Sequence, residues 1–255
     1  MIIVSIANQK GGTGKTTCTL TLAAALARAG KRVLMIDLDP QASLSEYYFS
    51  PVKIAESDQT IYHVLVEKKQ EVRPWTIGNG RDLIPATIDL AAADIKLAGV
   101  LNRERILAKF LKTWSQLDRY DYCLIDCSPS LGLLTVNALT ASRYVFIPVE
   151  TELLGERTVK LILDTVEEIK ENDLKPDLEV WRVVATKFDI RLAHHKEILE
   201  ALRGKYKTQL YTEPVRSTTK YKDAAVDRQD ISELDSVQGK FWDQLAATFI
   251  SETTH

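Results

Sequence analysis

Cysteine is scarce in this 255-residue chain: Cys18, Cys123 and Cys127 make an odd set of three that builds no disulfide framework. The gap between Cys123 and Cys127 is not the two-residue gap of a zinc knuckle, and both fall in an apolar run, so they are read as buried structural residues. Long apolar runs are missing too. No window approaches the roughly 18 apolar residues of a transmembrane helix. An apolar leader is also lacking, which together with the cysteine pattern predicts a reducing cytoplasm. Neither sign of charge dominates: 33 Lys and Arg face 35 Asp and Glu, for a net −2. A polyanionic partner would have to be met by a local patch. Internal repeats, low-complexity tracts and an evident linker are absent. With 45% hydrophobic and 27% charged residues, what remains is an ordinary globular composition, long enough to bury a core and within the range of one domain spanning residues 1–255.

Apolar, β-branched runs alternate with helical patterns. MIIVSIAN (1–8), RVLMIDL (32–38), YDYCLIDC (120–127), RYVFIPV (143–149) and VWRVVAT (180–186) read as strands too continuously apolar for a half-exposed antiparallel edge. Helical patterns cover 15–29, 89–98, 103–117, 132–141, 155–171, 192–206 and 236–250, with Gly30 placed as a left-handed stop for the first. Residues 50–85 hold a helical stretch (TIYHVLVEKK), a turn-rich stretch (PWTIGNG) and a brief strand (DLIPA). The alternation predicts an α/β fold: a mostly parallel, twisted sheet with helices on both faces.

Between the first strand and the first helix lies NQKGGTGKTT (8–17). Gly11, Gly12 and Gly14 let backbone N–H groups converge on phosphate oxygens, and a helix starting near Lys15 adds its positive end. Lys15 is placed to reach β and γ phosphates, and the Thr16 hydroxyl to ligate Mg²⁺, with Thr13 and Thr17 completing the cradle. The strict phosphate-loop pattern wants a glycine where Gln9 stands, so the match is physical rather than literal. Asp126 ends an apolar strand, where a carboxylate can hold Mg²⁺ through water. Lys10 is surplus to nucleotide binding within one chain.

KGGTGKTT, together with DLDPQ (37–41) and LIDCSPS (124–130), resembles the deviant phosphate-loop ATPases of the ParA, Soj and MinD group. The resemblance to ParA and Soj runs across the whole chain. It implies an ATPase using ATP and Mg²⁺, in which Lys10 crosses a homodimer interface to the phosphates held by the other subunit. The alternative for Lys10 is a solvated loop lysine. By resemblance, Asp39 orients or activates the attacking water and Asp37 assists around the metal; the alternative for each is strand-end solvation or a helix N-cap. Pro129, Pro148 and the stretch 148–162 also resemble the group. Glu150 and Glu152 there are read either as contacts to ribose or partner chain, or as acids at a helix start. For adenine, the group uses the loops here at 186–191 and 213–216, making Lys187 and Pro214 the candidates and leaving Phe188 between base contact and core.

Eleven Lys and Arg against six acids lie between Arg182 and Arg228, on a chain whose net charge is −2. That local excess is the footprint of sequence-independent phosphate binding, or else of solvated helices. The resemblance implies nonspecific DNA binding in the ATP state near Arg191, Arg216, Lys220 and Lys222. It further implies a nucleoid-associated protein that positions a plasmid, chromosome region or protein body through a ParB-type or cargo-specific adaptor that stimulates hydrolysis. A membrane switch of the MinD kind would want a basic amphipathic C-terminal helix, and FWDQLAATFISETTH (241–255) has no Lys or Arg. A small-molecule ATP-dependent enzyme on the same fold is the remaining alternative. His194 and His195 are read as a surface pair.

Overall fold

The computed structural model describes residues 1–152 and 155–253. Residues 153 and 154, inside the 148–162 stretch, and 254 and 255, at the end of the C-terminal stretch, lie outside the described residues.

Seven strands form one sheet: β1 (Ile2–Ile6), β2 (Val33–Leu38), β3 (Trp75–Gly78), β4 (Arg81–Ile84), β5 (Tyr122–Cys127), β6 (Tyr144–Glu150) and β7 (Glu179–Thr186), in the order β3-β4-β2-β5-β1-β6-β7. All neighbours pair parallel except β3 and β4, which close the edge as an antiparallel hairpin. Side chains alternate across β2. Val33 and Met35 join one core, while Leu34, Ile36 and Leu38 join the other. Both faces are thus covered, which is why apolar residues dominate both sides of the strands.

The helices are α1 (Lys15–Arg28), α2 (Ser43–Tyr48), α3 (Pro51–Ala55), α4 (Ile61–Leu65), α5 (Ala93–Lys96), α6 (Ile106–Thr113), α7 (Leu133–Ala141), α8 (Gly155–Glu171), α9 (Ala193–Tyr206), α10 (Lys220–Asp227), α11 (Ile231–Leu234) and α12 (Ser236–Thr253). On one face α1 and α12 pack together, with Leu22 and Leu26 of α1 and Trp242, Leu245 and Phe249 of α12 buried in the same core. Helices α4, α6, α7, α8 and α9 fill the other. Gly30, at φ 77°, stops α1 as expected, with Lys31 N–H reaching back to the Leu26 carbonyl at 3.0 Å.

Several boundaries differ from the sequence reading. The stretch 89–98 is a 3₁₀ turn (Ile88–Ala92) followed by a single α turn, and 103–117 shortens to α6 between 3₁₀ turns. PWTIGNG contains strand β3 as well as its turn, because Asn79 and Gly80, both at positive φ, close a hairpin onto β4. Among the described residues, no helix is long and apolar enough to cross a membrane.

Candidate nucleotide site

The sheet order fixes where the site must be. β1 is central, with β5 on one side and β6 on the other, so a crevice opens beyond its carboxyl end. The loop at residues 8–14 fills that crevice. Asn8, fully buried, anchors it: its amide nitrogen donates to the Pro148 carbonyl at 2.7 Å and its side-chain oxygen accepts from Lys10 N–H at 3.0 Å. From the far side the Thr186 hydroxyl donates to the Thr13 carbonyl at 2.9 Å.

Gly14 stands at the N-cap of α1 with φ 90°, a backbone state that a Cβ would strain, and no side chain caps the helix. The first-turn N–H groups are left to an incoming anion. Lys15 lies nearly buried, its ammonium donating to the Lys10 carbonyl at 3.2 Å. Burial pulls its pKa below the usual lysine value, with the Asp126 carboxylate working in the opposite direction. Thr16 and Thr17 follow on the first turn.

The carboxylates divide into different roles. Asp126 of β5 is buried: the Thr19 hydroxyl lies 3.3 Å from Oδ1, and Oδ2 has no partner. Burial, and next the facing Asp37, push its carboxyl up to about 8. A bare buried oxygen beside the head of α1 fits a cation that neutralises it. Among the described residues no three His, Cys, Asp or Glu side chains gather to hold a metal.

Asp37 sits opposite Asp126 in the paired strands and is fully buried. Burial lifts it to about 6, but its oxygens are engaged: Oδ2 accepts the Ser45 N–H (2.9 Å) and hydroxyl (2.7 Å), and Oδ1 accepts Asp39 N–H (3.1 Å). Those bonds tie Asp37 to Ser45 in the first turn of α2, whose N-cap is Ala42. β2 ends at Leu38, so Asp39 lies in the following turn. Its Oδ1 accepts Gln41 N–H at 2.9 Å, and the side chain is half-buried at the crevice.

Lys10 does not extend into solvent. Its ammonium is paired with Glu150 and, at 2.6 Å, with Glu152. The bond to Glu150, then that to Glu152, raises its pKa. Burial opposes the charge on Glu150, but the lysines on it outweigh burial and hold its carboxyl below the usual range. Glu150 is the last residue of β6, so its own backbone is strand.

Residues 186–191 and 213–216 come together as expected, zipped by Phe188 N–H to the Val215 carbonyl (3.0 Å) and Ser217 N–H to the Phe188 carbonyl (2.8 Å). Pro214 is half-buried beside this seam, and Phe188 belongs to the core. The Lys187 ammonium, however, turns to Glu150 at 2.6 Å and lies over Gly12, on the phosphate loop instead of the seam. His195 is half-buried, its Nδ1 accepting Asp189 N–H at 3.0 Å and lying 3.2 Å from the Thr151 hydroxyl; His194 is exposed. All three cysteines are buried and free. Of the four basic candidates, Arg191 pairs with Asp189 and Lys220 with Asp223, whereas exposed Arg216 and Lys222 carry no ion pair among the described residues.

Sequence reasoning missed Asn8, Thr19, Ser45 and Thr186. Thr19, one turn beyond Lys15, and Asn8, at the start of the loop stretch, carried a usable signal in their position; Ser45 and Thr186 are joined to the site only by tertiary register.

With this geometry in hand, three comparisons bear on the chain. A family model described as "AAA domain" matches residues 1–180. The sporulation initiation inhibitor protein Soj of Bacillus subtilis is 39% identical over 212 residues, 82% of this chain and 81% of Soj. The crystal structure of cobyrinic acid a,c-diamide synthase from Mycobacterium smegmatis with bound ATP analog and magnesium superposes with TM-score 0.83 at 29% identity, covering 100% of this chain and 97% of that one. A putative plasmid partition protein from Borrelia burgdorferi bound to AMPPNP gives TM-score 0.83 at 25% identity, over 98% and 99% of the two chains.

Proposed function

Because this chain belongs to the AAA domain family and, with Soj, to the ParA–MinD superfamily of phosphate-loop ATPases, we propose that it is a partition-type ATPase in which ATP closes a homodimer able to bind nonspecific DNA. ATPase activity and the use of ATP with Mg²⁺ follow from that membership and from neighbours solved with nucleotide and magnesium. One observation carries the finer reading: the two lysines of the loop face different ways. Lys15 folds inward onto the loop's own carbonyl, while the Lys10 ammonium leaves the loop for the end of β6. One chain's triphosphate is served by Lys15, and Lys10 serves a facing one.

Within the site, the amides at the head of α1 and the Lys15 ammonium bind and orient the phosphates. Asp126 and the Thr16 hydroxyl would hold Mg²⁺, which would supply neutralisation of phosphate charge. Asp39 holds the attacking water in line, and Asp37 keeps the turn carrying Asp39 in place through its hydrogen bond to the Asp39 N–H. Pro214 and the 186–191 seam border the base. Loss of the γ-phosphate removes what Lys10 reaches for, so hydrolysis opens the pair and releases DNA and adaptor-bound cargo.

A second reading has an observation in its favour, the full-length likeness to an amide-forming synthase. A MinD-like membrane role is disfavoured because Trp242, Leu245 and Phe249 of α12 are occupied in the core.

Lys10→Ala tests the reading. We expect retained ATP binding but loss of ATP-dependent dimerisation by light scattering and of phosphate release. A variant that still dimerises with ATP removes the switch. Gel shifts with random duplex DNA beside liposome pull-downs, each with ATP and ADP, separate the classes: liposome binding alone rejects this choice.

A further inference from the structure

The charges around Lys10 form a closed set of four. Glu150 is only 6% exposed in its side chain, and both its oxygens carry a cation: Oε2 the Lys10 ammonium, Oε1 the Lys187 ammonium at 2.6 Å. Glu152, 58% exposed, takes Lys10 from the other side at 2.6 Å. Two carboxylates and two ammonium groups sum to zero. The strand register builds this arrangement. Glu150 pairs with Thr186 across β6 and β7, so the next residue, Lys187, leaves the sheet beside it. Lys187 has φ 54°, a left-handed backbone state uncommon for a residue with a side chain, and it turns the amine back over the phosphate loop to 3.7 Å from where a Cβ on Gly12 would lie.

A buried carboxylate tolerates the departure of one cation only if another stays. Lys10 cannot serve a facing triphosphate while Glu150 and Glu152 hold it. Glu152 is wet enough to be solvated when Lys10 leaves; Glu150 is not. We infer that Glu150 is a counter-charge latch that parks Lys10 in the nucleotide-free chain, and that Lys187 is the positioning residue that keeps Glu150 neutralised when Lys10 crosses to the other subunit. This deepens the reading of Lys10 given above and rests on it. It also assigns Lys187 to the dimerisation step instead of to adenine, because its amine is committed to Glu150.

The test is the monomer–dimer dissociation constant, measured by sedimentation in Mg²⁺ and a non-hydrolysable ATP analogue at concentrations that saturate each chain. Lys187→Gln strands Glu150 when Lys10 leaves, so its constant should rise at least about tenfold. Lys187→Arg keeps the cation and should stay within about threefold of the wild type. Glu150→Gln removes the need for a second cation, so Glu150→Gln with Lys187→Gln should return to within about threefold; a purely structural defect at 187 would not be rescued in this way. Saturation by the analogue reports that each chain is folded, and Lys187→Met provides the same comparison where Gln at 187 does not fold. A wild-type constant for both neutral variants at 187 overturns the inference, as does a double variant as weak as Lys187→Gln. Lys10→Ala, run beside them, tells the two ideas apart. If it dimerises normally, both fail; if it does not and the neutral variants at 187 do, only the latch fails.

Discussion

Asp126 is the residue at which binding and stability conflict most directly. It is buried with Oδ2 bare, and Asp37 faces it across the strand pair. Without a cation, both carboxyls keep their protons to higher pH than the unfolded chain does, to about 6 for Asp37 and about 8 for Asp126, chiefly because burial disfavours the charged form. A proton held more tightly by the folded state stabilises it fully below the ordinary Asp value of about 4 and ceases to do so as pH rises through the folded value. In EDTA and without nucleotide, stability to urea should therefore decline from about pH 4 to about pH 8. Asp126→Asn should flatten that decline. At pH 8 it should also raise the melting temperature by a few degrees, the size expected of about 1 kcal/mol in a chain of this length, while abolishing the Mg²⁺ dependence of ATP binding. A variant whose pH profile matches the wild type would show that the buried charge lies elsewhere.

At the scale of elements, α12 ties the end of the described chain to the first helix. Trp242 is fully buried against α1, and its indole N–H donates to the Tyr221 hydroxyl at 2.9 Å. We propose that residues 1–255 act as one domain because the core formed by α1 includes side chains from both ends of the chain. Trp242→Ala should cost about 3–5 kcal/mol and lower the melting temperature by roughly 10 °C in a single cooperative transition. Trp242→Phe should lose much less. Two separate transitions in calorimetry would divide the domain. The same scale explains what sequence could disclose. Strands β1, β2, β5, β6 and β7 were legible as apolar runs because burial on both faces leaves few polar positions in them, and the phosphate loop was legible because its parts are contiguous. Helices α2, α3, α10 and α11 were not seen: each is eight residues or shorter, too short for a helical period to stand out. Of the hairpin β3–β4 the sequence disclosed β4 as DLIPA, while β3 was merged into the turn-rich stretch that ends in Gly78, Asn79 and Gly80. Glu150 and Lys187 were each noticed, but their union was not, because only the β6–β7 register brings residues 37 apart into contact.

For the whole molecule, the relevant feature is how charge is distributed. An excess of five basic residues between Arg182 and Arg228 sits on a chain of net −2, so the remainder is acidic and would repel a polyanion everywhere else. Folding edits this patch. Arg182 is drawn to Glu252, Lys187 to Glu150, Arg191 to Asp189, Arg203 to Glu200, Lys205 to Glu156 and Lys220 to Asp223. Arg216 and Lys222, like Lys196, Lys207 and Arg228, are exposed and carry no ion pair among the described residues, which leaves their charge free to release counterions from a phosphate backbone. A pair closed by ATP, as proposed above, would present two such patches at once, so nonspecific DNA binding should be strong with ATP and weak with ADP. Arg216→Ala or Lys222→Ala should weaken binding equally for unrelated duplex sequences. Each should also reduce the slope of log affinity against log salt by about 0.9 for every phosphate that a subunit no longer neutralises. Measuring that slope by fluorescence anisotropy over about 50–200 mM salt decides the matter. An unchanged slope for both variants would assign these side chains to the protein's own surface and leave the DNA to another face.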